Sequence, residues 1–374
     1  MRVSLISCWF KSVYAVYTDH LQQALSKLGC ETKVISTNCD CGSLTNKVAN
    51  DLYNQKCDFF LLPTLASYAS AKKWKNFLRL SGKGGLYICQ ALRFIARSKG
   101  REIIHIQQTM HSFGSMAVFA LLKLARPGRI VITVHELDEF QAEFPQFNGI
   151  YNRARSILVH FEEMKQKLIE LGVNGQKIKV LRYGVKIPPL YGASREGAIF
   201  YGGHHLMSGK GTEDLFAALK ILKDQGKRLT VKIHGQYPRD DQEAGEALAR
   251  KYQVDDCILW LDRQIDIDRL NLEYQRSLFC VAPLYKGTGC FQSVMAMANG
   301  APVIGTRAAG LPDYINGTGI FVDLASPPQL AKAMADLMED EARRDQLGQR
   351  ARKRAVEEFN WDEVAKKVLE VYKK

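Results

Sequence analysis

The stretch from Val281 to Gly305 most narrows the folds open to this chain. Val281-Ala282-Pro283-Leu284 reads as the end of a buried strand, and Tyr285-Lys286-Gly287-Thr288-Gly289-Cys290 as a glycine loop. Gln292 to Ala298 is an apolar helix, Gly300 stops it, and Val303-Ile304 opens a second buried strand. Strands that alternate with helices imply a mostly parallel sheet covered on both faces. Gly287 and Gly289 flank Thr288 where strand turns into helix, so free amide N–H groups and the positive helix end face any anion there. The motif is short, and an ordinary strand–helix turn has the same sequence.

The rest of the chain repeats this alternation twice. In the first half, Val3 to Ser7, Thr32 to Ile35, Phe59 to Leu62, Ile103 to Ile106, Ile130 to Val134 and Ile157 to His160 read as strands. Thr18 to Leu28 forms a helix with Leu21, Ala24, Leu25 and Leu28 on one stripe and Gly29 as its stop. Lys177 to Leu181 is the last strand of this half, and Pro188-Pro189 then breaks the chain. The second half restarts with Ala198 to Tyr201, followed by the loop Gly202-Gly203-His204-His205 and a helix beginning near Lys210-Gly211-Thr212. Leu229 to His234, Ile258 to Leu261 and Leu278 to Pro283 are its further strands. A length of 374 residues suits two domains, each with its own core. The expected domains are 1–187 and 188–358, with 359–374 returning to the first.

Charge separates the halves. Residues 1–187 carry 26 Lys and Arg against 13 Asp and Glu, while residues 188–374 hold 26 of each. The excess thickens between Lys72 and Arg101, where nine basic residues meet no acidic one. Lys72, Lys73, Trp74, Lys75 and Arg79 mix cations with an aromatic ring, as expected of a segment lying on an anionic membrane surface. A solvated helix face and a nucleic-acid contact are the alternatives, and the neutral second half disfavours nucleic acid. No apolar run reaches the roughly 18 residues of a membrane span. The nine cysteines show no paired Cys-x-x-Cys spacing, and the amino-terminal run Met1 to Ser7 reads as a strand rather than a signal peptide. These features point to a reducing cytoplasm and to no metal site.

His135 follows a strand, at the edge where parallel sheets bind their ligands. The run from Pro283 through Ala296-Met297-Ala298-Asn299-Gly300-Ala301-Pro302-Val303-Ile304 to Ala309-Gly310-Leu311-Pro312-Asp313 resembles the donor-binding segment of family 4 retaining glycosyltransferases. The resemblance extends over nearly the whole chain in element order. It implies the GT-B fold: two Rossmann-like, doubly wound α/β domains facing a cleft, with the final helix around Trp361 crossing back to the first domain. It implies a donor site at Gly203, His204, His205, Gly287, Thr288, Gly289 and Met295, with Lys210 against the donor diphosphate and His135 near the transferred sugar. A fixed ammonium and a helix N-terminus stabilise charge on a leaving diphosphate, so no metal or other cofactor is implied.

Two family glutamates eight positions apart correspond to Gly287 and Met295, and no Glu occurs between Glu273 and Glu339. The usual partner arginine falls at His204 or His205. Methionine accepts no ribose hydrogen bond. The implied function is retaining transfer of a sugar from a nucleotide-diphosphate donor to a lipid-linked or cell-envelope glycan acceptor, at the inner face of the cell membrane. The alternative is a catalytically degenerate relative that binds a glycan, lipid or protein.

Overall fold

A computed structural model describes residues 1–7, 12–36, 102–107, 128–135, 137, 151–192, 194–203, 205–263, 265–286 and 290–373. Its contacts divide the chain into two compact units, residues 1–184 with 364–374, and residues 185–363. Elements are numbered here along the described residues.

The first unit holds a sheet of β1 (Arg2–Ser7), β2 (Glu31–Ser36), β3 (Ile103–Gln107), β4 (Ile130–Thr133), β5 (Ser156–Val159) and β6 (Ile178–Val180), in the order β2-β1-β3-β4-β5-β6. Every pairing is parallel. β3 and β4 are buried along their whole length, with apolar side chains on both faces, as strands covered by helices on both sides must be. α1 (Ser12–Lys27) covers one face with Tyr17, Leu21, Ala24 and Leu25, and ends before Gly29 at φ +78°. α2 (Glu162–Glu170) buries only Met164 and Leu168 and leaves its acidic first turn in water. Phe59 to Leu62 and the basic segment Lys72 to Arg101, including Lys72, Lys73, Trp74, Lys75 and Arg79, lie outside the described residues.

The second unit repeats the design. Its sheet comprises β7 (Ala198–Gly203), β8 (Val231–Gly235), β9 (Ile258–Trp260), β10 (Phe279–Ala282), β11 (Val303–Thr306) and β12 (Ile320–Val322). The order is β12-β11-β10-β7-β8-β9, again parallel throughout. Three strands therefore run outward on each side of the junction between β7 and β10. In open α/β sheets such a reversal leaves a crevice at the carboxyl ends, which are Gly203 and Ala282 here.

α3 (Thr212–Asp224) buries Leu215, Phe216, Ala218, Leu219 and Leu222 on one face. Each large apolar side chain in that row contributes about 1.5–3 kcal/mol by leaving water. α4 (Arg239–Lys251) and α5 (Ile267–Gln275) are mostly polar and bury two residues each. α6 (Cys290–Ala298) differs: Val294, Met295, Ala296, Met297 and Ala298 are all buried. α7 (Leu311–Ile315), α8 (Pro327–Glu339) and α9 (Glu341–Arg354) complete this unit. Arg352 donates to the Ala298 carbonyl oxygen, and Arg354 to those of Tyr314 at 2.8 Å and Asn316 at 2.9 Å, so two helix ends that lack partners of their own are satisfied by one arginine each. α10 (Trp361–Lys373) lies across the division, its residues from Val364 grouping with the first unit.

Candidate active site

In the second unit, the loop after β7 folds back over the end of its own strand. Gly203 has φ +69°, and a Cβ built there would stand 2.7 Å from Lys210 Cε and 3.2 Å from Lys210 Nζ. The bare glycine backbone is therefore what lets the lysine lie across the strand end. The Lys210 ammonium also sits 5.9 Å from the centre of the Tyr201 ring, a cation–π distance. Burial pushes the Tyr201 hydroxyl up to about 12, so it remains a neutral phenol, and the Gln292 side chain hydrogen-bonds to it. Gln292 is in the first turn of α6, so Tyr201 ties the lysine-bearing loop to that helix.

The other side of the loop is locked by the segment after β10. Gly211, at φ +71°, caps α3, and any Cβ on it would collide with the Pro283 carbonyl oxygen. The Tyr285 N–H donates to Gly209 O at 3.0 Å, and the Tyr285 hydroxyl donates to Asp214 Oδ2 at 2.6 Å. Thr212 donates to the Leu206 carbonyl oxygen, and Asp241 accepts from the Leu206 N–H at 2.6 Å. Lys210 is thus held at the junction where the strand order reverses. The four first-turn amides of α6 lead away from the same junction, and the buried Ser293 hydroxyl in that turn has no hydrogen-bond partner among the described residues.

Of the donor-site residues read from the sequence, the structure brings Gly203 and Lys210 into contact. His205 is exposed on the loop. Met295 is 3% exposed within α6, so its thioether belongs to the packing of that helix. His204, Gly287, Thr288 and Gly289 lie outside the described residues.

In the first unit, His135 is fully buried two residues beyond β4. Its Nδ1 is 2.8 Å from His160 Nε2, and its Nε2 is 3.1 Å from Gln107 Oε1, whose amide nitrogen lies 3.3 Å from the His105 ring nitrogens. Tyr17 meets the His135 ring edge-on at 4.7 Å, and Tyr183 stacks on His160 at 3.8 Å. Further along the sheet, His105 bonds Thr133 Oγ1 at 2.7 Å and the Tyr372 hydroxyl at 2.5 Å, which fastens the carboxyl-terminal helix to β3. Burial lowers all three imidazoles below the ordinary value: His105 to about 3, His160 to about 4, and His135 well below 6.5, with its two neighbouring histidines adding to the effect. All three are neutral at pH 7.

Tyr201, Gln292, Gln107 and His160 are not among the site residues read from the sequence. His160 carried the same signal as His135, a polar residue following a buried strand. Tyr201 and Gln292 had none, because their pairing joins residues 91 positions apart.

Two parallel doubly wound sheets of this kind define the GT-B architecture, and comparison with solved structures agrees. Over 100% of this chain and 99% of the other, the fold matches Anabaena Alr3699/HepE, solved with UDP and glucose, at TM-score 0.74 and 15% identity. WaaG, a glycosyltransferase involved in lipopolysaccharide biosynthesis, matches at TM-score 0.67 and 13% identity over 99% of each chain.

The family described as Glycosyltransferase Family 4 matches residues 14–187, and that described as Glycosyl transferases group 1 matches residues 196–340. Among sequence relatives, the MMP alpha-(1->4)-mannosyltransferase of Mycolicibacterium hassiacum is 24% identical, covering 100% of this chain and 98% of that protein. Both halves of the chain thus match glycosyltransferase families, and the protein is a sugar-transferring enzyme of GT-B fold. Among the described residues, no helix is long and apolar enough to cross a membrane.

Proposed function

We propose that the enzyme takes a sugar from a nucleotide-diphosphate donor bound at the carboxyl ends of β7 and β10. The observation that carries this reading is the position of Lys210, laid over Gly203 at the reversal of strand order and linked through the Tyr201 ring to Gln292 of α6. Breaking a sugar–phosphate bond leaves charge on the diphosphate. An ammonium fixed before the reaction stabilises that charge without reorganising as it develops. The α6 amides add to it through the positive end of the helix. Lys210 and these amides supply the positive charge, so the proposal requires no metal. UDP in the structurally similar HepE supports a donor of this class.

The proposed reaction retains anomeric configuration, with His135 on the first domain near the transferred sugar. His204 and His205 take the place of the arginine that would assist the lysine. Met295 is buried and no glutamate lies between Glu273 and Glu339, so no glutamate of this segment holds the ribose or the sugar. The proposed acceptor is a lipid-linked or cell-envelope glycan at the cytoplasmic membrane face, a reading supported by the basic segment around Lys72 to Arg79 and by the fold shared with WaaG.

The test is a donor screen with purified protein and UDP-, GDP- and ADP-linked sugars, read as nucleoside diphosphate release. Turnover that survives Lys210→Ala unchanged removes the assignment of this site.

A further inference from the structure

Tyr201 stands in β7, two residues before the glycine that Lys210 crosses. A Cβ built on Gly203 would lie 2.7 Å from Lys210 Cε and 3.5 Å from Tyr201 Cε1, so the lysine stem and the ring edge converge on the same bare backbone. The ammonium lies 5.9 Å from the ring centre, within the range at which an aromatic face attracts a cation. A ring holds a cation without a net charge that cancels it. A carboxylate in the same place would offset the attraction for a diphosphate.

The ring is itself braced from two directions. The side chain of Gln292, in the first turn of α6, hydrogen-bonds to its hydroxyl. The His234 ring, near the end of β8, is 5.0 Å away and tilted by 50°. His234 Nε2 lies 2.9 Å from the hydroxyl of Tyr274, a fully buried residue of α5. Burial lowers His234 to about 3 and holds Tyr274 well above the ordinary tyrosine value, so both are neutral at pH 7. The brace therefore neither repels the lysine nor competes for it. Two strands and two helices meet at one phenol ring.

We propose that Tyr201 is a positioning residue of the transfer reaction: its ring seats the Lys210 ammonium, and its hydroxyl, through Gln292, sets the spacing between that ammonium and the first turn of α6. This rests on the donor site proposed above. Two positive groups stabilise one leaving diphosphate best when both stand in place before the charge develops, because rearrangement during the reaction adds to the barrier. The two parts of Tyr201 are separable. Tyr201→Phe keeps the ring and removes the tie to α6, Gln292→Leu removes the same tie from its other end, and Tyr201→Leu removes ring and tie together.

Carbon-13 methylation of the lysines in the full chain reads the contact without substrate. The Lys210 signal, identified by its loss in Lys210→Arg, moves in Tyr201→Leu; a signal that stays in place overturns the proposal whatever the turnover. In nucleoside diphosphate release from the donor selected by the screen above, Tyr201→Phe and Gln292→Leu each lower kcat/KM by about 3- to 10-fold, and the double variant is no worse than either. Tyr201→Leu lowers it by about 10- to 100-fold. In a Lys210→Ala background the same change costs no more than about threefold, because Tyr201 acts through the lysine. Unchanged kcat/KM in Tyr201→Leu overturns the proposal, as does a loss of equal size with and without Lys210. Should Tyr201→Leu fail to fold, additive losses in Tyr201→Phe and Gln292→Leu, or none, overturn it instead. A Lys210→Ala variant without effect removes both this proposal and the donor site, whereas a loss in Lys210→Ala with none in Tyr201→Leu removes the role of Tyr201 alone.

Discussion

At the scale of single residues, two glycines decide what Lys210 can do. Gly203 and Gly211 both occupy left-handed backbone, and each faces a group that a methyl would displace. At Gly203 the obstacle is the flexible end of Lys210. At Gly211 it is the Pro283 backbone carbonyl, which cannot yield without moving β10. Gly211→Ala is therefore expected to destabilise the second unit by about 2 kcal/mol or more, from left-handed strain added to the collision, measured as a fall in its urea midpoint. Gly203→Ala carries the left-handed strain without the backbone collision, so it is expected to cost about 1 kcal/mol while displacing the lysine and raising the donor KM. Lys210→Ala should lower kcat/KM by about 10²- to 10³-fold, as removal of a preorganised electrostatic group does. Lys210→Arg should recover part of this, since charge is kept while the fit against Gly203 is not.

At the scale of elements, the two units differ in how their sheets are closed off. The second is finished by apolar packing and by arginines over helix ends, whereas the carboxyl edge of the first is a row of buried imidazoles. Folded His105 and His160 titrate at about 3 and 4, against 6.5 in an unfolded chain. Below pH 6.5 the unfolded chain binds the extra protons, so the stability these groups confer is complete above that pH and is lost as pH falls towards 4. Each such histidine contributes a slope of about 1.4 kcal/mol per pH unit in that window. With His135 shifted in the same direction, the first unit is expected to lose several kcal/mol between pH 6.5 and pH 5. The second unit, with His234 at about 3 as its comparable group, should lose about a third as much. Urea titrations of the full chain at the two pH values, read by hydrogen exchange of amides in each unit, separate these outcomes. Equal acid sensitivity in both units would contradict this account.

At the scale of the whole molecule, charge divides the chain into a basic half and a neutral half. All of the excess positive charge belongs to residues 1–187, the half matched by the Glycosyltransferase Family 4 model. A basic, aromatic-containing segment in that half can hold the enzyme at an anionic surface where a lipid-linked acceptor would be found, with each Lys or Arg near the surface contributing about 1 kcal/mol. The expected outcome is co-sedimentation with anionic but not neutral liposomes, weakened by Lys72→Glu, Lys73→Glu and Lys75→Glu together and by raised salt. Equal binding to both lipid types would remove the membrane reading. Binding that survives high salt would point to apolar insertion instead.

The alternation of buried strands and helices was legible because parallel strands are covered on both faces and read as continuous apolar runs. Ile103 to Ile106, Ile130 to Val134 and Phe279 to Ala282 each fall where the periodicity puts a strand. The short strand β12 and helix α5 were not legible, since a three-residue edge strand and a polar helix with two buried residues carry almost no periodic signal. For the site, the glycine loops and Lys210 could be read because a lysine between glycines before a helix is a local pattern. The sequence alone determined the two α/β units, the charge division and the absence of glutamates around the glycine loop. Only the tertiary structure decided that Tyr201 would couple Lys210 to α6, and that Gln107, His135, His160 and Leu181 would line up on adjacent strand ends. Those partners are distant in sequence and meet only through the strand order and register of an open parallel sheet, which no local pattern encodes.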